Sequence, residues 1–116
     1  MSIFDKLKSM LKPEVKSQRP DDVIRQTLLQ HGDDGTKLRT VDHLAYFGSQ
    51  HDQAAYMTFV QENGFTLGDC DDDFSVAFTK ETAVVGEEFD REIAALELKA
   101  MELNGDYDGW GCPVAP

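Results

Sequence analysis

The sequence predicts a single α+β domain in which helices cover one face of an antiparallel β-sheet. Three observations predict it. Short runs of alternating apolar and polar residues read as strands, apolar residues three and four apart read as helices, and the order is strand, helix, strand, strand, helix, strand. The chain has 116 residues, 41% of them hydrophobic and 28% charged, which suits one domain able to bury a core without a metal or disulfide staple.

Before that pattern begins, Ile3, Phe4, Leu7, Met10 and Leu11 form an apolar stripe flanked by Lys6, Lys8 and Lys12. Pro13 ends this short amphipathic segment, and residues 14–20 read as a polar linker. Residues 1–19 are therefore expected to form a basic arm and linker, and residues 20–116 the domain. Pro20-Asp21-Asp22 opens a helix with Ile24, Leu28 and Leu29 on its apolar side and Gly32 as its stop. The first strand alternates Val41, His43, Ala45 and Phe47 with Asp42, Leu44 and Tyr46. Ser49, with Asp52 three residues on, resembles a capping box. The helix that follows carries Ala55, Tyr56, Phe59 and Val60 and ends at Asn63-Gly64.

Phe65, Leu67 and Gly68 make a short second strand, followed by an acidic turn from Asp69 to Asp73. Phe74, Val76 and Phe78 alternate with Ser75, Ala77 and Thr79 in a third strand. Phe89, Ile93, Leu96, Ala100 and Leu103 then mark a long helix closed by Asn104-Gly105, and Tyr107 to Cys112 reads as the last strand. The second and third strands can pair as a hairpin, whereas a helix between strands demands a crossover. Two such halves give a ferredoxin-like βαββαβ sandwich with strand order 4-1-3-2. Cys70 and Cys112 would stand three strand spacings apart, roughly 14 Å, which exceeds the reach of a disulfide. Both are expected to be free thiols.

Eleven basic residues against 22 acidic ones give a formal charge of −11 and a pI near 4.5. The charge is uneven: residues 1–20 carry Lys6, Lys8, Lys12, Lys16 and Arg19 against Asp5 and Glu14, a net of +3 that leaves −14 on the rest. Such a body repels phosphate backbones and attracts basic protein surfaces, so a protein partner is expected and direct nucleic-acid binding is not. No apolar run reaches the ~20 residues of a membrane span, and a cytoplasmic setting of bacterial type is expected.

Chemistry is hard to place in this sequence. Asp69, Asp71 and Asp73 match the first three positions of a calcium loop, but Phe74 stands where that loop needs its glycine and Lys80 where it needs its glutamate. His31, His43 and His51 fall at a helix end, on a strand and at a helix start, without the spacing of a metal or acid–base pair. His43 lies in the apolar phase of its strand, where a hydrogen-bonded structural histidine is expected. No phosphate-binding glycine loop or nucleophile elbow is present. The reading is of a non-enzyme with no cofactor and no metal.

The most distinctive segment is Asp106-Tyr107-Asp108-Gly109-Trp110-Gly111, which holds the chain's single Trp. Two roles are open to Trp110: packing against sheet and helix, or anchoring a partner. The candidate partner-binding residues are Tyr107, Asp108 and Trp110, with Asp71, Asp72 and Asp73 of the acidic turn. The segment DYDGWG, with TVDHLAYF in the first strand, resembles the regulator of ribonuclease E activity B (RraB) family over about residues 20–112. That resemblance implies a non-enzymatic protein that binds ribonuclease E, inhibits its RNA cleavage and remodels the degradosome on its arginine-rich tail. The chain departs from the family's best-known form in its basic amphipathic arm and in ending at Cys112-Pro113-Val114-Ala115-Pro116 rather than in a long acidic tail. The alternative from charge alone is a stand-alone acidic module, for example of immunity type, for an unrelated basic partner. The arm could pack on its own body, enter a partner groove or touch a membrane, the last being least expected beside a −14 body.

Overall fold

A computed structural model of the chain describes residues 20–69 and 74–115. The basic arm and linker, Cys70 and the acidic residues Asp71, Asp72 and Asp73 lie outside the described residues. The elements run α1 (Pro20–Gln30), β1 (Arg39–Tyr46), α2 (Gln50–Glu62), β2 (Thr66–Leu67), β3 (Ser75–Thr82), α3 (Glu87–Glu102) and β4 (Asp106–Gly111). The four strands form one sheet in the order β2-β3-β1-β4, with every neighbouring pair antiparallel. This is the βαββαβ order and the strand order that the sequence predicts, with α1 added in front.

All three described helices stop by the same local device. Gly32 (φ 77), Gly64 (φ 88) and Asn104 (φ 59) adopt the left-handed conformation just past α1, α2 and α3. In each case the next amide turns back to a carbonyl of the last turn: Asp33 to Leu28, Phe65 to Val60 and Gly105 to Ala100. These are Schellman endings, which satisfy carbonyls that the helix would otherwise leave bare. After α3 the chain must also pass close to β1. A Cβ on Gly105 would sit 2.3 Å from the Phe47 ring and 2.6 Å from the Tyr46 carbonyl, so only glycine fits. At its other end α2 is capped by Ser49, whose Oγ accepts the Asp52 amide at 3.2 Å.

The core lies between the sheet and the helices. Val41 and Ala45 of β1, Val76 and Phe78 of β3, Tyr56 and Val60 of α2, and Phe89, Ile93, Leu96 and Ala100 of α3 are buried in it. These are the alternate residues of each strand and the three-four series of each helix. The Tyr56 hydroxyl donates to the Leu96 carbonyl at 3.0 Å, tying α2 to α3 across the core. Arg25 fixes α1 by donating to the Val84 carbonyl and pairing with Asp90, both at 2.8 Å.

The sequence reading errs at several positions. Leu29 is 61% exposed, because α1 rests on the narrow line of Ile24 and Leu28 and turns Leu29 away. Phe74 is not part of the third strand: it closes the turn in the left-handed region (φ 61), and its carbonyl accepts the Phe47 amide. The second strand begins at Thr66, since Phe65 is held by the end of α2, and the last runs from Asp106 to Gly111. Leu44, in the polar phase of β1, is buried nonetheless.

A buried ion pair that local pattern could not reveal joins the two ends of the domain. Asp33, just past α1, meets Arg39 at the start of β1 through a two-pronged contact of Nη1 with Oδ2 and Nη2 with Oδ1. Asp33 also accepts the amides of Gly35 at 3.0 Å and Ala115 at 2.9 Å. Arg39 donates further to the carbonyls of Lys37 and Pro113. The Arg39 guanidinium and the two amides hold the Asp33 carboxyl far below the usual carboxylate range. Removing one partner strands the other charge in the interior. Arg39→Met is expected to lower Tm by on the order of 10 °C. The pair's contribution is complete above about pH 4 and fades as pH falls below the ordinary carboxylate pKa. Thermal melts from pH 7 to pH 2 should show a steeper acid loss in the wild type than in Asp33→Asn.

Candidate functional site

Strand β4 is the candidate motif DYDGWG, and its geometry explains its composition. In a regular strand, residues 107 and 110 would point to opposite faces of the sheet. Here β4 carries a bulge: Leu44 faces Gly109, and Ala45 faces Tyr107, so that Asp108 is the extra residue. Gly109 adopts φ 117, a conformation that L side chains rarely take. The bulge shifts the phase by one residue. Tyr107 and Trp110 both therefore reach the helix-covered face, beside Ala45 and His43.

His43 is the centre of this arrangement. It is buried on the middle strand, stacked on Phe78 with ring centroids 5.0 Å apart and an interplanar angle of 8°. The Phe65 ring meets it edge-on at 5.3 Å. Its Nδ1 shares a 2.7 Å hydrogen bond with the Tyr107 hydroxyl, while Nε2 has no hydrogen-bond partner among the described residues. Burial pushes its pKa down to about 3, with the nearby Lys80 charge adding to the effect. A neutral imidazole of this kind ties β1 to β3 and β4. It is the hydrogen-bonded structural histidine that its strand phase predicts.

Trp110 is 4% exposed and packs edge-on against Phe89 of α3 with centroids 4.9 Å apart, so its indole is part of the core. Asp108 and Gly109 are buried, Tyr107 and Gly111 are half-buried, and Asp106 is exposed. Of the motif, Asp106 is thus the most accessible residue, with Tyr107 and Gly111 partly so. Asp71, Asp72 and Asp73 lie outside the described residues, but the chain around them is placed. Ser75 and Asp106 both pair with Tyr46, one on each side, which sets them about 10 Å apart at one end of the sheet. Exposed Asp69 precedes the acidic turn. Ser75 of β3 and Asp106 of β4 therefore stand at the same end of the sheet.

Cys112 is a free, half-buried thiol near Arg39, its pKa raised mainly by burial. Among the described residues no three His, Cys, Asp or Glu side chains converge as metal ligands, and no helix is long and apolar enough to cross a membrane. The functional geometry missed by sequence reading is the bulge and the His43–Tyr107 bond, whose partners are 64 residues apart. The Asp-Gly pair inside an aromatic strand was the one available signal for the bulge.

The pH dependence of stability follows from His43. The unfolded chain takes up a proton on His43 below about pH 6.5, whereas the folded protein resists protonation down to about 3. Stability is therefore expected to fall with decreasing pH through that window by up to about 1.4 kcal/mol per pH unit. Denaturant titrations should show this slope in the wild type and its loss in a His43→Phe/Tyr107→Phe double variant. Gly109→Ala should cost more than about 1 kcal/mol in the same titration, because Ala at positive φ strains the bulge that places Trp110.

The family model described as RraB, regulator of ribonuclease activity B, matches residues 19–112. No curated protein matches the chain by sequence. The match begins one residue before α1 and ends one residue after β4, so it takes in the whole described sheet and every helix packed on it. With the bulged DYDGWG strand locked to the central histidine, and the family model spanning the fold built around them, the chain belongs to the RraB family, the regulators of ribonuclease activity B.

Proposed function

We propose that the protein is a non-enzymatic regulator that binds ribonuclease E, inhibits its cleavage of RNA and alters the degradosome assembled on it. The family match over residues 19–112 carries this reading, since the family is one of ribonuclease regulators. The −14 charge on the chain beyond residue 20 supports it physically: such a body is drawn to an arginine-rich protein segment and repelled by RNA. Inhibition in this reading comes from covering a basic protein surface, with no chemistry on the nucleic acid and no cofactor. One contact surface in this reading is Asp106 and Tyr107 together with Asp71, Asp72 and Asp73, while Asp108 and Trp110 act through the strand they shape. The setting is the cytoplasm, and the basic arm of residues 1–19 is an appendage to the binding domain.

The full-length protein titrated into a ribonuclease E cleavage assay tests the reading directly, with enzyme that keeps or lacks its tail. Inhibition is expected at low micromolar concentration with the tailed enzyme, weakening severalfold as salt rises from about 0.05 to 0.2 M. No binding to either form at low salt would overturn it. A pull-down that recovers one small basic protein and no ribonuclease would instead favour the stand-alone acidic module.

A further inference from the structure

At the end of the sheet away from Asp106, β3 outruns its neighbour. β2 pairs only through Thr66 with Thr79 and Leu67 with Phe78, while β3 continues to Thr82. On the other side β1 stays paired with β3 as far as Arg39 and Thr82. The Ala77 carbonyl accepts the Gly68 amide, so the alternate residues Ala77, Thr79 and Glu81 turn their backbone groups toward the β2 side. Glu81 lies beyond the end of β2, and its main chain forms an open sheet edge. Beside that edge is a groove of about 260 Å³ between β3 and the first turns of α3, lined by Leu38, Thr82, Val85, Glu88 and Phe89 among others. A second hollow of about 240 Å³ continues from it across α3 to Phe59 and Phe65, with Glu88 and Glu92 common to both.

The walls of the first groove mix apolar side chains (Leu38, Ala83, Val85, Phe89) with charged ones, and the charges without an ion-pair partner among the described residues are negative. Leu38 is 68% exposed at the mouth. Glu92 is neutralised by Lys80 at 2.6 Å, and Glu87 pairs with Arg91. Glu81 and Glu88 are exposed and have no ion-pair partner among the described residues. They also lie on opposite sides of the edge. Glu81 pairs with Thr40 in the phase that faces away from the helices, whereas Glu88 belongs to α3 on the helix side. Side chains of an added strand alternate between the two sides of a sheet, so successive residues would meet Glu81 and Glu88 in turn.

We propose that this edge and groove bind an extended basic segment of the partner as a short added strand, with an arginine or lysine toward each of Glu81 and Glu88 and an apolar side chain against Leu38 and Val85. The partner's identity rests on the ribonuclease reading; the chemistry of the segment rests on the groove.

The test is a pair of charge-reversed proteins, Glu81→Lys/Glu88→Lys and the control Glu97→Lys/Glu102→Lys, which has the same net charge but changes the far end of α3. Both are checked for wild-type melting. Binding to intact ribonuclease E at about 0.15 M salt should weaken roughly tenfold or more in the first and at most about threefold in the second. Equal weakening in both, or in neither, overturns the groove and leaves the ribonuclease reading standing. Absence of binding by the wild type overturns that reading itself. A synthetic peptide alternating arginine and valine should, in NMR titration of the full chain, shift the amides of Leu38, Glu81, Thr82 and Glu88. Shifts confined to Asp69 and Asp106 overturn the site. The same amides moving with the protein's own concentration, without peptide, assign the face to a second copy and also overturn it.

Discussion

An uncharged imidazole on the central strand is the constraint around which the rest of this fold is arranged. His43 can remain in the interior only without a proton, so its neighbours must hold a polar ring without offering it charge. Phe78 of β3 and Phe65 at the head of β2 supply two faces of the enclosure, and Tyr107 of β4 supplies one hydroxyl. The three contacts draw on every other strand or its lead-in. Tyr107 and Trp110 cannot both turn toward His43 from a regular strand, and the extra residue in β4 follows from that demand. The aromatic-glycine composition of the motif is thus the solution to a packing problem at the middle of the sheet.

The other buried polar groups have structural duties as well. Asp33 and Arg39 hold the loop after α1, the start of β1 and the segment after β4 in one knot. A buried pair of this sort contributes little net stability compared with apolar packing, but it fixes which groups meet. What remains for a partner is the exterior, and there the acidic side chains dominate. The domain carries most of its charge outside and, within, the Asp33–Arg39 pair and the His43–Tyr107 bond. Such a division of labour fits the regulator family to which the chain belongs.

Much of the fold was legible because its signals are local. The phases of Val41, His43 and Ala45, and of Phe89, Ile93, Leu96 and Ala100, each follow a single period, and all lie where that period places them. Asn63-Gly64 and Asn104-Gly105 end their helices because left-handed backbone follows from residue type. The failures share a cause. Phe74 has the right phase for a strand but is taken by the turn geometry, and Leu29 is apolar but lies on the outward side of its helix, 61% exposed. At the candidate site the residues of DYDGWG were legible and their directions were not. Local alternation says nothing of an inserted residue, and no spacing announces that Asp33 will meet Arg39 or that His43 will meet Tyr107.

The burial of Trp110 against Phe89 gives the molecule an internal optical probe. It is the chain's single indole, so all of its tryptophan emission arises from one site in the helix–sheet interface. Shielded from water, that emission should lie toward the blue, and it should move red only when α3 separates from β4. A partner resting on exposed carboxylates would leave the spectrum almost unchanged, whereas one that prises the helix layer from the sheet would not. Light from this one ring therefore distinguishes a regulator that docks as a rigid body from one that opens to grip its target.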